Sequence, residues 1–358
     1  VIKKPNIIVN KLLKKMINTY FYIFVVPVIL LINFILKKNK FLLNYTGQEH
    51  QTYTIKDQIP LSGGLFILVF FMINYESLGS DLFFYLFFFS LGLFADLNVV
   101  KSPTHRFICQ ILFIILFVIY LNISIEDIRI NFINLYLQNY YFNIFFVSFC
   151  FLVLVNGSNF IDGNNGLSIG YFCIIFFNII NLNNNEIVLF ENSLLLSFLI
   201  ILIIILFFNF SNKLYLGDNG VYLLSVYTGY TLINLFNNNP NISPYFIVNL
   251  LWYPAFEILF SMLRKLKLKH SPMKPDTLHL HQLLFFYYVK KLKLKKNISN
   301  SATGFTINIY NAIILYVSSI SAHHTNLQIL FIAISTLIYL FSYLSLLKIK
   351  NSLFNKKL

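Results

Sequence analysis

The sequence predicts an all-α fold, a polytopic integral membrane helix bundle with about 10–11 transmembrane helices, on three observations. First, 58% of the 358 residues are hydrophobic and only 11% are charged. A soluble domain carries about 25% charged residues, so this chain holds more apolar surface than a water-soluble core can hide. Second, apolar runs of roughly 15–20 residues recur along the chain, each of a length that crosses or nearly crosses a bilayer. Third, the cationic residues fall on alternate connections between these runs, which is the charge pattern of a membrane topology.

Eleven spans follow in order, at about 17–36, 61–75, 82–95, 106–122, 141–156, 166–182, 189–209, 218–236, 244–263, 306–322 and 328–347. The first follows a basic segment, 1–16, with Lys3, Lys4, Lys11, Lys14 and Lys15. No small-residue cleavage site comes after it, so no cleavable signal peptide is expected. Pro60 and Gly63-Gly64 suit a turn entering the second span. The third ends on Asp96, and the fourth follows Lys101-Ser102-Pro103. Between the fifth and sixth spans lies Asn156-Gly157-Ser158-Asn159-Phe160-Ile161-Asp162-Gly163-Asn164-Asn165-Gly166, a polar stretch that no membrane helix requires. The eighth opens on Gly217-Asp218-Asn219-Gly220, and the ninth runs directly into Arg264-Lys265-Leu266-Lys267-Leu268-Lys269.

With the loop after the first span placed in the cytoplasm, 21 of the 27 Lys and Arg residues lie on cytoplasmic connections or the tail. Arg129 alone lies on the opposite side, and the other five are in segment 1–16. The layout is therefore one membrane-embedded domain, 17–347, flanked by the basic segment and a basic tail, 348–358. Its cytoplasmic loops are about 37–60, 96–106, 157–165, 210–217 and 264–305. The net charge of +14 is thus explained by topology, and nucleic acid is not expected as a partner. The cysteines, Cys109, Cys150 and Cys173, sit in apolar runs without spaced partners, so neither disulfides nor zinc is expected.

All the polar clusters fall on the cytoplasmic side. A carboxylate at the end of an apolar span, such as Asp96, is costly to hold and marks a functional site; its bland reading is a helix-end cap. Asp218 can likewise cap its helix or hold a metal. The turn Asp162-Gly163-Asn164-Asn165-Gly166 lacks the Glu that an EF-hand needs at its twelfth position, where Cys173 stands. His279 and His281 are too few for a zinc site and suit donation to an anionic leaving group. Near Pro60, Lys56 supplies a point charge for a phosphate. Hard oxygen ligands with few histidines favour Mg²⁺, with Mn²⁺ a workable substitute. Phosphate chemistry beside a lipid-facing bundle points to a lipid phosphate as one reactant.

The ordered motifs resemble those of the polyprenyl-phosphate N-acetylhexosamine-1-phosphate transferases. Asn156-x-x-Asn159-x-x-Asp162-Gly163-x-x-Gly166-Leu167 is similar to the family's Asn-x-x-Asn-x-x-Asp-Gly-x-Asp-Gly-Leu, Leu216-Gly217-Asp218 to its Gly-Asp motif, and His279-Leu280-His281 to its histidine loop. The matching motifs run from Lys56 to Gln282. The resemblance implies transfer of an N-acetylhexosamine-1-phosphate from a UDP-sugar to polyprenyl (undecaprenyl) phosphate, with release of UMP. It implies a bacterial inner-membrane enzyme whose active site faces the cytoplasm and which begins a cell-surface polysaccharide such as O-antigen. It makes Asp218 the Mg²⁺ ligand and puts Asn156, Asn159, Asp162 and Asn165 at or near the nucleotide. Lys56 and Asp96 would lie near the phosphates, and His279 and His281 near the diphosphate.

Two positions depart from the family. Ala95-Asp96 stands where an Asp-Asp pair is common, the first of which is a proposed base, and Asn165 replaces an Asp. The alternatives are a transporter, which would place its ionisable groups nearer the bilayer midplane, and a non-catalytic relative on account of Ala95. The sequence fixes neither the sugar nor the oligomeric state, and a homodimer is compatible with it.

Overall fold

A computed structural model describes residues 22, 24–44, 58–184, 192–269 and 277–355. Among the described residues, every predicted span falls on helix. The first is α1, over 24–38. Then come α2 (Gly63–Ile73), α3 (Tyr75–Leu78), α4 (Asp81–Asp96), α5 (Pro103–Tyr120), α6 (Asn131–Leu137), α7 (Tyr140–Ile161) and α8 (Leu167–Asn184). They are followed by α9 (Asn192–Phe210), α10 (Gly217–Asn238), α11 (Pro244–Leu250), α12 (Trp252–Lys267), α13 (Leu280–Lys290), α14 (Lys296–Ile320) and α15 (Thr325–Asn355). The chain is an all-α polytopic membrane protein. Among the described residues, five of these helices are long and apolar enough to cross a bilayer alone, and the α11–α12 pair, bent by 74°, is a broken span or a re-entrant loop.

The bend divides the predicted ninth span, 244–263, into two helices. Its helices start at points a continuous helix could not tolerate: Pro244 opens α11 behind the Ser243 cap, and Pro254 in the first turn of α12 lacks the N–H that would continue the ladder. Helix also extends into stretches read as loop. α7 continues to Ile161, α13 and the first turns of α14 occupy much of 264–305, and α15 takes in the tail as far as Asn355. The basic segment 1–16 lies outside the described residues.

The bundle is organised around α10, of whose 22 residues sixteen are buried. Lipid supplies no hydrophobic drive for helices to associate, so close packing must hold them. Small residues provide it where α10 begins. A Cβ on Gly92 of α4 would strike the backbone of Asp218 and Asn219, and one on Gly64 of α2 would strike the backbone of Gly220. Deeper in, Tyr227 of α10 meets Phe71, Phe198 and Phe176 at ring-centroid distances of 4.7, 4.8 and 5.9 Å, tying α2, α8 and α9 to it. At the opposite end of the bundle, Arg129 donates to the Thr325 hydroxyl at 2.5 Å and to the carbonyls of Pro240, Asn241 and Ile242 at 3.2–3.3 Å. Arg129 is thus a clamp between loops.

Candidate active site

The start of α10 joins three of the polar clusters. Both Asp96 oxygens accept backbone N–H groups there, from Asp218 and from Asn219, each at 3.0 Å. The Asn219 amide adds a bond to Asp96 at 2.5 Å and one to the Leu61 carbonyl at 3.1 Å. Asp96 therefore caps α10 from a different helix, satisfying donors that a helix start leaves open. Gly217, at φ 75°, makes the turn that presents those donors, a conformation that costs glycine little. The entry to α2 pairs with the same loop: Tyr215 donates to Pro60, and Gly63 to Tyr215, both at 2.9 Å.

Asp218 itself is partly exposed, and one of its oxygens is held by Arg106 of α5 at 3.0 Å. Sequence reading counted Arg106 only as a topological charge, because nothing in its immediate sequence ties it to an aspartate 112 residues away.

Asn156, Asn159 and Asp162 recur every three residues, so they share one face of the last turns of α7 and its cap. Asn156 donates to Gln110 at 3.0 Å and to its own helix at Leu152. Gly157 lets α7 pack directly on the Pro254 carbonyl of α12. Asp162 ends the helix, partly exposed. Burial first, then the charges of Asp218 and Asp96, push its carboxyl well above the usual range. The three aspartates thus stand at one end of the bundle, close enough to repel.

Asn165 is placed differently. It is 1% exposed, and its amide is spent on scaffold: Nδ2 donates to Asn212 at 2.7 Å and to Ser301 at 3.2 Å, while Oδ1 accepts from Asn300 at 2.9 Å. Asn300 also accepts from the Asn164 side chain and the Asn165 N–H, and Asn308 donates to the carbonyls of Gly166 and Leu167. A set of neutral amides from α14 therefore pins the turn after Asp162.

His279 and His281 flank the start of α13, both buried. Their rings stack 5.5 Å apart at 12°, and a Cβ on Gly163 would sit 3.2 Å from Nε2 of His281, so the pair abuts the Asp162 turn. Glu257 of α12 accepts from His279 Nδ1 at 2.9 Å, a partner that no motif indicated. Lys56 and residues 271–276 lie outside the described residues.

Among the described residues, no three His, Cys, Asp or Glu side chains form a metal-holding group. The donor set still fits Mg²⁺, which usually takes one or two carboxylates plus substrate phosphates. Asp96 is used up by α10, but Asp218 and Asp162 keep carboxylate oxygens without backbone partners, and a cation would relieve their repulsion.

Comparison with known proteins is consistent with this geometry. Residues 80–236 match the model of Glycosyl transferase family 4. A stretch of 143 residues is 27% identical to the undecaprenyl-phosphate alpha-N-acetylglucosaminyl 1-phosphate transferase of Thermotoga maritima, covering 39% of this chain and 42% of that protein. The match thus spans less than half the length of that relative. The matched stretch contains Asp96, Asn156, Asn159, Asp162 and Asp218. It stops before the histidine pair, whose link to the site rests on the packing of His281 against Gly163.

Proposed function

We propose that the chain transfers an N-acetylhexosamine-1-phosphate from a UDP-sugar to polyprenyl phosphate, releasing UMP, at the cytoplasmic face of a bacterial inner membrane. The observation that carries this reading is the meeting of Asp96 and Asp218 at the start of α10, at one end of an apolar bundle. The excess of basic residues on the connections at that end supports its cytoplasmic placement.

The reaction replaces one phosphoanhydride bond, in the nucleotide sugar, with another, between the lipid phosphate and the sugar phosphate. An oxygen of polyprenyl phosphate attacks the sugar-bearing phosphorus, the bond to the uridylate phosphate breaks, and UMP takes the electron pair. Such chemistry needs two anions brought into line and their charge balanced, with little proton transfer. Asp218 would hold Mg²⁺, with Asp162 beside it. When bound, the ion supplies charge neutralisation to the phosphates. Asp96 fixes the backbone that carries Asp218, and Arg106 holds one Asp218 oxygen. Asn156 and Asn159, on the face of α7 that ends in Asp162, would contact the nucleotide, with Asn165 supporting their turn from behind. His279 and His281 offer ring nitrogens to the diphosphate. Loss of the family's first aspartate, at Ala95, is tolerable because a phosphate monoester with second pKa of about 6 is mostly dianionic at pH 7.

The name of the Thermotoga maritima relative makes UDP-N-acetylglucosamine the first donor to try. Purified protein is incubated with polyprenyl phosphate, Mg²⁺ and a panel of UDP-N-acetyl sugars. A lipid-linked sugar diphosphate with one of them is expected, and its loss in Asp218→Asn. Near-normal turnover by Asp218→Asn would remove the metal assignment.

A further inference from the structure

Where α9 ends and α14 begins, residues of both line an open cleft of about 560 Å³. Among the described residues, its apolar lining is Phe210, Ile298, Ala302 and Phe305, and its polar lining is Asn212, Asn297 and Ser301. The spacing from Asn297 through Ile298, Ser301 and Ala302 to Phe305 is one helix face, so the cleft follows α14 for about 12 Å. The polar groups stand at its mouth, and Phe305 lies deeper along the span. Lys213 follows Asn212, and Lys295 and Lys296 precede Asn297; all three lysines are exposed. No ion pair among the described residues engages them. Nor does the sequence supply a near partner: 192–217 and everything after Asp276 contain no Asp or Glu. Lys295 caps α14 without a side-chain bond, so the positive end of that helix adds to the same rim. The mouth is thus cationic and the floor apolar. Asn212 and Ser301 face this cleft and also hold the Asn165 amide, at 2.7 and 3.2 Å. The cleft is therefore the back of the wall that carries the turn after Asp162, and no site aspartate or histidine lines it.

We propose that this cleft binds an anionic phospholipid, with Lys213, Lys295 and Lys296 on the head-group phosphate and an acyl chain against Ile298, Ala302 and Phe305. Charge and shape together select that occupant. A neutral lipid would leave the cations unmatched, and a free phosphate would leave the apolar floor uncovered. A second copy of the chain docked by a two-fold axis would bring the same lysines face to face. Lysines at a span end attract anionic lipid even without a site. The cleft beside these three adds a fitted floor, which surface charge alone lacks. Binding here needs no turnover, so it stands apart from the transferase reading.

The test uses the full chain, stripped of lipid in a neutral detergent, as wild type, Ala302→Trp and the triple variant Lys213→Gln/Lys295→Gln/Lys296→Gln. Ala302→Trp fills the cleft and leaves its charge, whereas the triple variant removes the charge and leaves the shape. Phosphatidylglycerol is titrated in and bound lipid is counted by native mass spectrometry. Phosphatidylcholine, inorganic phosphate and farnesyl phosphate serve as competitors. We expect a single tightly held phosphatidylglycerol per chain, with phosphatidylcholine at least about tenfold weaker. Each variant should weaken that binding by at least about tenfold. Saturating phosphatidylglycerol should raise the Tm of the wild type by a few degrees and that of both variants by less. Equal affinity for the two phospholipids, or wild-type binding by the triple variant, would overturn the charge match and with it the proposal. Wild-type binding by Ala302→Trp would reduce the lysines to a general surface attraction and overturn the site. Displacement by excess inorganic phosphate would make it a free-anion site instead. Farnesyl phosphate displacing the lipid as well as phosphatidylglycerol does would make it an entry for a lipid phosphate substrate. A wild-type dimer that Ala302→Trp splits would put a second copy in the cleft. If Ala302→Trp does not fold, Phe305→Ala, at a 58% exposed position, takes its place with the same expected loss, and full binding by it would overturn the proposal.

Discussion

Replacing Asp96 separates a scaffold role from a proton-transfer role. In the structure both carboxylate oxygens accept backbone N–H groups at 3.0 Å, and one also accepts the Asn219 amide. Asp96→Ala removes all three acceptors at once. A buried donor left without a partner costs about 1–3 kcal/mol. Asp96 is only partly buried, so water recovers some of this and the low end applies, about 3 kcal/mol in all. In a chain of this length that lowers Tm by about 5 °C. Asp96→Asn keeps one good acceptor and should fall between the two. The start of α10 carries Asp218, so turnover should fall with Tm, by about 100-fold for the alanine variant, the scale of an ångström-sized misplacement. The assay is thermal unfolding in detergent followed by tryptophan or dye fluorescence, run beside UMP release. An Asp96→Ala protein that melts like wild type would refute the capping argument. An Asp96→Asn protein with wild-type Tm and no activity would make Asp96 a base instead.

Four further outcomes follow from the same geometry. Asn165→Asp, which restores the family's usual residue, should lower Tm, because a carboxylate cannot donate to Asn212 and Ser301; the lost pair costs about 1–3 kcal/mol, and an unchanged melt would contradict the amide lock. Ala95→Asp should leave turnover within about threefold while lowering Tm in chelator, since Ala95 is 8% exposed and a new carboxylate there joins three others; a large gain in kcat would show that the natural site lacks a base. Mg²⁺ in excess should raise the Tm of the wild type by a few degrees and that of Asp218→Asn by much less. Asp162→Asn should melt higher than wild type in chelator, because it removes a carboxyl that burial first, and the charges of Asp218 and Asp96 second, make costly to ionise. Equal Mg²⁺ shifts in all three proteins would separate the ion from these carboxylates.

The helices were legible because apolar runs of bilayer length have few other uses. Their ends were less so, since Asn156–Ile161 is polar yet continues α7, its small residues packing on α12 rather than breaking the helix. The 74° bend had a signal in Pro254, which a hydropathy reading passes over. α13 is short and reads as part of a basic loop; its burial comes from neighbouring helices and is invisible to local pattern. In the site, the aspartates stood out because carboxylates at the ends of apolar spans are costly. Their partners did not. Arg106 looked like any topological cation, and Asn300 was hidden by the chain's abundance of asparagine. Glu257 had a readable signal, a lone carboxylate inside an apolar span, and it was the membrane rule for such residues that should have singled it out.

The central claim is that the whole sugar phosphate, and not the sugar alone, moves to the lipid. The most direct measurement is the nucleotide released when purified protein, polyprenyl phosphate, Mg²⁺ and UDP-N-acetylglucosamine react, read with the mass of the lipid product. The account predicts UMP and a polyprenyl diphosphate sugar in equal amounts. Release of UDP with a polyprenyl monophosphate sugar, or no product from any UDP-N-acetylhexosamine with folded protein, would contradict it.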